Sequence, residues 1–189
     1  MAGTLTVQNI QGPSSGANAN KIIIPSGQTL DASAGTFVPS AGGVLQVVQT
    51  QKTDTFSSSS TTYVDVTGMS VNITPSSTSS KILIMITMLV GQANSNFTLS
   101  NLLRDGVNIA QPTTSSTFPA TLNAYPGDGL NGSAQIMQTL NWLDSPSTTS
   151  QITYKIQSKT TGGTFWVNAR PSQQNGTTVS SITLMEIAG

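Results

Sequence analysis

The chain has 189 residues, room for one ordinary domain and a short extra segment. It carries only seven Lys or Arg and seven Asp or Glu, with no net charge, so it lacks the clustered basic surface that nucleic-acid binding needs and has little hold on an anionic membrane. His and Cys are both absent, which removes Ser-His-Asp and Cys-His nucleophiles, disulfides and the usual zinc ligand sets.

A 36% apolar content, gathered into recurring short runs, marks a chain that folds. Ser, Thr, Asn and Gln supply most of the polar surface, so solubility rests on hydrogen bonding rather than on repulsion. Met1-Ala2-Gly3-Thr4-Leu5 shows no basic region followed by an apolar core, and no export signal is expected. The longest apolar run, Ile82 to Val90 interrupted by Thr87, is too short to cross a bilayer, so no membrane insertion is expected.

Residues 1–42 hold two short apolar pieces, Leu5 to Ile10 and Ile22-Ile23-Ile24, set among Gly12-Pro13, Pro25-Ser26-Gly27 and Ala41-Gly42-Gly43. So few large apolar groups, without disulfide or metal, do not build an independent core. An extended segment that packs on copies of itself or on a larger particle is expected here; a flexible tail is the alternative.

Residues 43–189 read as strands almost throughout. Val44 to Gln49 opens the series, and Thr62 to Val66, Met69 to Ile73 and Ile82 to Val90 follow. Phe97 to Arg104 and Val107 to Ala110 flank Asp105-Gly106, a dipeptide suited to a tight hairpin because it tolerates positive φ. Ala134 to Leu143, Ile152 to Ile156, Thr164 to Ala169 and Val179 to Ile187 complete the set. No segment shows sustained helical periodicity with a cap at each end. The expected fold is all-β, an antiparallel, jelly-roll-like β-sandwich over residues 43–189.

Gln151 to Gln157 alternates polar and apolar, as a strand with one wet face must. Ile82 to Val90 does not alternate, and Val179 to Ile187 also places apolar groups on both faces. A two-layer sandwich covers one face only. Contact between copies of the chain is therefore expected at Ile82, Leu83, Ile84, Met85 and Ile86, and at Leu184 and Met185. A loop of the same chain is the alternative cover.

The pieces Val44-Leu45-Gln46-Val47-Val48-Gln49, Tyr63 to Val71, Ile73-Thr74-Pro75-Ser76-Ser77, Ser80-Lys81-Ile82-Leu83-Ile84 and Ser181 to Ile187 carry a family likeness in their order. With them the chain from Val44 onward resembles the C-terminal β-domain of bacteriophage fibre and virion structural proteins, especially those of phages infecting cyanobacteria. Ile22 to Asp31 is similar to repeats that wind as extended trimeric stalks in phage fibres. The resemblance implies a homotrimer made in the host cytoplasm and carried on the virion, at the tail or capsid surface. It implies an N-terminal stalk or anchor, residues 1–42, that meets other virion proteins, and a distal head, residues 43–189, that attaches to the host. A capsid decoration, cement or head-fibre protein is the second reading, and a catalytic tailspike the third.

The tailspike would need a pair of carboxylates. Asp31, Asp54, Asp65, Asp105, Asp128, Asp144 and Glu186 form no close pair in sequence, although Asp65 and Glu186 lie in strand-like runs. No catalytic residue, metal site or cofactor is expected. Gly127-Asp128-Gly129 with Asn131-Gly132 is better read as a Gly-rich turn than as a calcium loop. The sequons at Asn72, Asn96, Asn131 and Asn175 are read as coincidence in so Ser- and Thr-rich a chain.

One segment, Gln111 to Ser133, is long, polar and poor in strands. Such loops bind or move more often than they merely connect. Phe118, Tyr125, Asp128 and Asn131 are its candidate receptor-binding residues, with a host surface polysaccharide as the ligand class. The alternative makes Phe118 and Tyr125 packing anchors. Trp142 and Trp166 are expected in the core or at an interface.

Overall fold

The structure, a computed structural model, describes residues 10–17, 19, 22–29, 40–92, 96–114, 116–125, 134–170 and 177–189. The chain divides into two compact units, Met1–Val38 and Pro39–Gly189. Among its described residues the first unit has turns, closed by Ala19 N–H on Gly16 O and Gln28 N–H on Pro25 O, and no strand. Ile22, Ile23 and Ile24 are exposed in it.

The second unit is all-β, with no helix among the described residues. Its strands are β1 (Val44–Lys52), β2 (Phe56–Ser58), β3 (Val64–Ile73), β4 (Lys81–Gln92), β5 (Thr98–Arg104) and β6 (Val107–Ile109). They continue with β7 (Leu122–Ala124), β8 (Ala134–Asp144), β9 (Ile152–Thr160), β10 (Phe165–Val167) and β11 (Ser180–Ile187).

Two antiparallel sheets pack face to face. In the first, β4 is central: β8 pairs along one side, while β11 and then β10 pair along the other. β1 lies outside β11, and β2 outside β10. The second sheet runs β3-β9-β5, with β6 and β7 sharing the far side of β5. Asp105 (φ 48°) and Gly106 (φ 85°) close the β5–β6 hairpin, as their types foretell. Gly68, at φ 83°, sits inside the register shift between Asp65 and Ser70, where the extra backbone of a bulge needs a residue without Cβ.

The core lies between the sheets. Ile82, Ile84, Ile86, Met88 and Val90 of β4 and Leu184 of β11 meet Met69, Ile73, Leu102, Ile152 and Ile156 of the second sheet. Polar side chains also bridge it: Ser100 Oγ donates to Gln138 Oε1 (3.0 Å) and lies 2.8 Å from Ser158 Oγ. Nearby Gln92 Nε2 donates to Thr160 Oγ1 (3.2 Å) and to Gly162 O (3.1 Å). Elsewhere Arg104 Nη1 reaches both oxygens of Asp144 (2.9 and 2.8 Å), and Tyr154 donates to the same carboxylate (2.7 Å). Burial, and then the Asp144 charge, push the Tyr154 hydroxyl far above its ordinary value, so it stays a donor.

The structure places four of the seven residues expected at a contact between copies inside the sandwich. Ile82, Ile84 and Leu184 are 0% exposed and Ile86 2%, all facing the core of their own sandwich. They cannot reach a second chain. Leu83, Met85 and Met185 point outward and are half-buried. β4 thus alternates in burial although its composition does not. The strand whose two faces are both covered is β5: outward Leu99, Asn101 and Leu103 are as buried as inward Thr98, Ser100 and Leu102.

Candidate functional site

Strand register assembles an aromatic patch. Thr98 pairs with Ala124, so Phe97 and Tyr125, one step further out, stand opposite each other. Their rings stack with centroids 4.5 Å apart and planes at 21°. Phe97 is held on the end of β9 by exchange with Thr161, whose hydroxyl accepts from Phe97 N (2.9 Å) and whose N–H donates to Phe97 O (3.0 Å).

Phe118 arrives from the excursion between β6 and β7. That excursion is tied down by one buried amide: Asn101 Oδ1 accepts from Gln111 Nε2 and from Thr121 N, both at 3.3 Å. Gln111 also donates to Thr121 Oγ1 (2.9 Å), which accepts from Leu102 N as well (3.1 Å). The bonds fold the segment onto the outward side of β5, and Phe118 comes to rest 5.1 Å from Phe97. Pro119 O accepts from the Tyr63 hydroxyl (3.2 Å), and Lys159 Nζ lies 4.8 Å from the Tyr63 ring centre. Burial raises the Tyr63 hydroxyl above its ordinary value, against an opposing hydrogen bond with Asn101, which keeps it a donor.

Phe118 and Tyr125 each give one side to Phe97 and still leave 37% and 39% of their surface in water. Two candidate residues are therefore brought together, by a third that sequence reasoning missed. The signal for Phe97 was its place one residue before a strand, where an aromatic at the end of a ladder has few neighbours. Asp128 and Asn131 lie outside the described residues. Flat, half-exposed rings beside Asn and a cation over a tyrosine can stack on apolar C–H faces and leave hydroxyls to polar neighbours. The same contacts make Phe118 an anchor for its loop; the two roles coexist.

The carboxylates have other work. Asp65, on the outward side of the second sheet, accepts from Lys155 Nζ (2.9 Å) and Gln157 Nε2 (2.7 Å), and these hold it below the usual aspartate range. Glu186 is buried and accepts from Gln46 Nε2 (2.6 Å) and from the Ser76 N–H and hydroxyl (both 2.7 Å). Each is thus engaged by its own donors. Asp105 is a turn residue whose carboxylate also accepts from Thr153 N (2.8 Å). Among the described residues no three His, Cys, Asp or Glu gather as metal ligands would.

A second surface stands on the outward face of the first sheet. Val47 opposes Met185, Met185 opposes Leu83, and Leu83 opposes Leu143. This makes one apolar row across four strands. Gln49, Thr183, Met85 and Asn141 form the next row, where Gln49 Nε2 donates to Thr183 Oγ1 (2.7 Å). Trp142, on the edge strand β8, is exposed rather than buried, and Trp166 is half-buried.

No family model matches the chain, and no curated protein does. Among solved structures, the infectious bursal disease virus Gt strain is similar at 16% identity and TM-score 0.43, over 88% of this chain and 43% of that one. The VP2 subviral particle of the same virus is similar at 14% identity and TM-score 0.41, over 94% of this chain and 45% of that one. The chain spans less than half the length of either.

Proposed function

We propose that this chain is a non-enzymatic structural subunit of a bacteriophage virion, a trimeric tail-fibre-type appendage that attaches the particle to a saccharide on the host surface. The observation that carries this reading is the contact of Phe118 and Tyr125 with Phe97, the Tyr125 stack set by strand register, with both rings more than a third open to water. Binding residues on a loop positioned by a rigid scaffold are a common arrangement, and here the scaffold is β5 and β7. Asp128 and Asn131 belong to the same segment and supply further polar contacts in this reading. The likeness in strand order to phage fibre domains points the same way, and so does a surface that needs no particular ionic strength to stay soluble. Residues 1–42 then anchor the subunit to other virion proteins.

Soluble protein should compete with virions for host cells. The double variant Phe118→Ala, Tyr125→Ala should weaken that competition at least about tenfold, a loss of roughly 1.4 kcal/mol. No competition by the unaltered protein at saturating dose defeats the attachment reading. Incubation with host polysaccharide should release no sugar; release would restore the tailspike. The outward face of the first sheet, nearly uncharged and uncovered among the described residues, also suits a capsid decoration, cement or head-fibre protein. Imaging labelled protein on intact virions separates the readings, with density on the tail or on the head.

A further inference from the structure

We infer that the outward face of the first sheet, centred on Val47, Met185, Leu83 and Leu143, is the surface through which three copies of this chain meet. The inference takes the number three from the fibre reading above; the choice of surface rests on the sheet itself. Val47 is 54% exposed and Leu143 49%, at opposite ends of a row whose middle members are half-buried. Met137, further along β8, is 61% exposed. Few soluble surfaces leave so continuous an apolar band across four strands in water.

Charge says what covers it. On β1, β11, β4 and β8 the outward positions carry Gln, Ser, Thr, Asn and apolar residues, and Lys81 at the rim is the one ionised side chain among those described. A face whose one charge stands at the rim meets its own copy with little repulsion, and offers little to a partner that would be recognised by charge. The outward face of the second sheet differs: Asp65, Lys155 and Lys159 stand on it. β8 pairs with β4 along one side, and its sequence has neither the Pro nor the Lys that guards exposed edges.

Dimensions agree with three copies. Four strands about 4.8 Å apart make a face roughly 19 Å wide, and three such faces closed into a prism would each stand about 5.5 Å from the axis, half the ~10 Å at which sheets pack. With strands of the observed lengths each face covers roughly 600 Å², and three together roughly 1,800 Å², shared among three contacts.

The test is the mass of the full chain in solution across a dilution series, with circular dichroism to confirm the fold of each variant. The unaltered chain should be trimeric at micromolar concentration. Leu143→Lys and Val47→Lys should each weaken assembly at least about a hundredfold, because an unpaired ammonium is buried at the contact. Val107→Lys, at an exposed site on the β5–β6 hairpin, should leave it unchanged. Peroxide oxidation should be slow at Met85 and Met185 in the assembled chain and fast in the lysine variants. A monomeric unaltered chain overturns the inference, as does a trimer that both lysine variants preserve. So does a monomer in which Met85 and Met185 stay protected, since the chain itself would then supply the cover. A chain that assembles through this face yet never competes with virions for cells defeats the attachment reading and leaves the interface standing.

Discussion

The two sheets treat their outward faces in opposite ways. On the second sheet, the excursion between β6 and β7 is folded back over β5, and Leu99, Asn101 and Leu103 are at most 3% exposed. The rest of that face carries Asp65, Lys155 and Lys159, side chains that keep water. On the first sheet no comparable cover lies over β4 among the described residues, and Leu83, Met85 and Leu89 remain half-open. Apolar composition on both faces of a strand therefore does not by itself mark the strand that its own chain covers. Charge on the neighbouring strands is the better guide, because ionised groups stay hydrated and mark the face that ends in solvent.

Truncating neighbours on each strand breaks the comparison most directly. Ile84→Ala should cost about 2–5 kcal/mol in denaturant unfolding, as a large-to-small change in a packed core does. Leu99→Ala, although it points away from the core, should cost a similar amount, since the excursion makes its environment a second core. Leu83→Ala, measured at a dilution where copies are apart, should cost about 1 kcal/mol or less. Equal costs at Leu83 and Leu99 would mean that the first sheet is also covered by its own chain.

The sandwich itself is legible in the amino-acid pattern. Long strands with β-branched runs, the Asp105-Gly106 turn and the alternation of β9 leave little room for another architecture. β2 and β7 are not legible, because Phe56-Ser57-Ser58 and Leu122-Asn123-Ala124 are too short for a period to show. Parity within β4 is not legible either. Ile82-Leu83-Ile84-Met85-Ile86 is apolar at every step, and only the facing sheet decides which members are inside. The aromatic patch is half-legible: Phe118 and Tyr125 stand in a loop of evident character, but Phe97 joins them through the pairing of β5 with β7.

Arg104→Ala probes the joint between the covered sheet and the open edge. Arg104 and Tyr154 belong to the second sheet, and Asp144 ends β8. Losing the guanidinium leaves a largely buried carboxylate with one hydroxyl, at a cost of roughly 2–3 kcal/mol, reduced from the fully buried case because Arg104 is partly in water. Hydrogen exchange should rise first in β8. Uniform loss of protection across both sheets would contradict a local joint.

Thr121→Val acts on the cover alone. It removes the acceptor for Leu102 N and Gln111, and an unpaired buried N–H costs about 1 kcal/mol. Proteolysis between residues 110 and 121 should quicken, while the assembly inferred for the first sheet should be unaffected. A change in assembly would place the excursion at the contact between copies.

Acid separates the carboxylate buried in the first sheet from the one hydrated on the second. At Glu186, burial works against the charge, but Gln46 and Ser76 outweigh it and hold the pKa below the ordinary 4.5. A group depressed in the folded state stabilises above its ordinary value, and that contribution fades as pH falls through the lower, folded value. Asp65 is depressed below its ordinary 3.8 by Lys155 and Gln157, yet it stands in solvent, where screening leaves little of such an effect. Unfolding midpoints measured from pH 6 downward should therefore decline in the unaltered chain, with the onset near 4.5. Glu186→Gln should remove most of that decline, because an amide keeps the acceptor oxygen and cannot titrate, while Asp65→Asn should leave it nearly intact. If Asp65→Asn flattens the profile and Glu186→Gln does not, the hydrated face carries the acid sensitivity, and the Gln46–Glu186–Ser76 contact is only a local tether for the loop before β4.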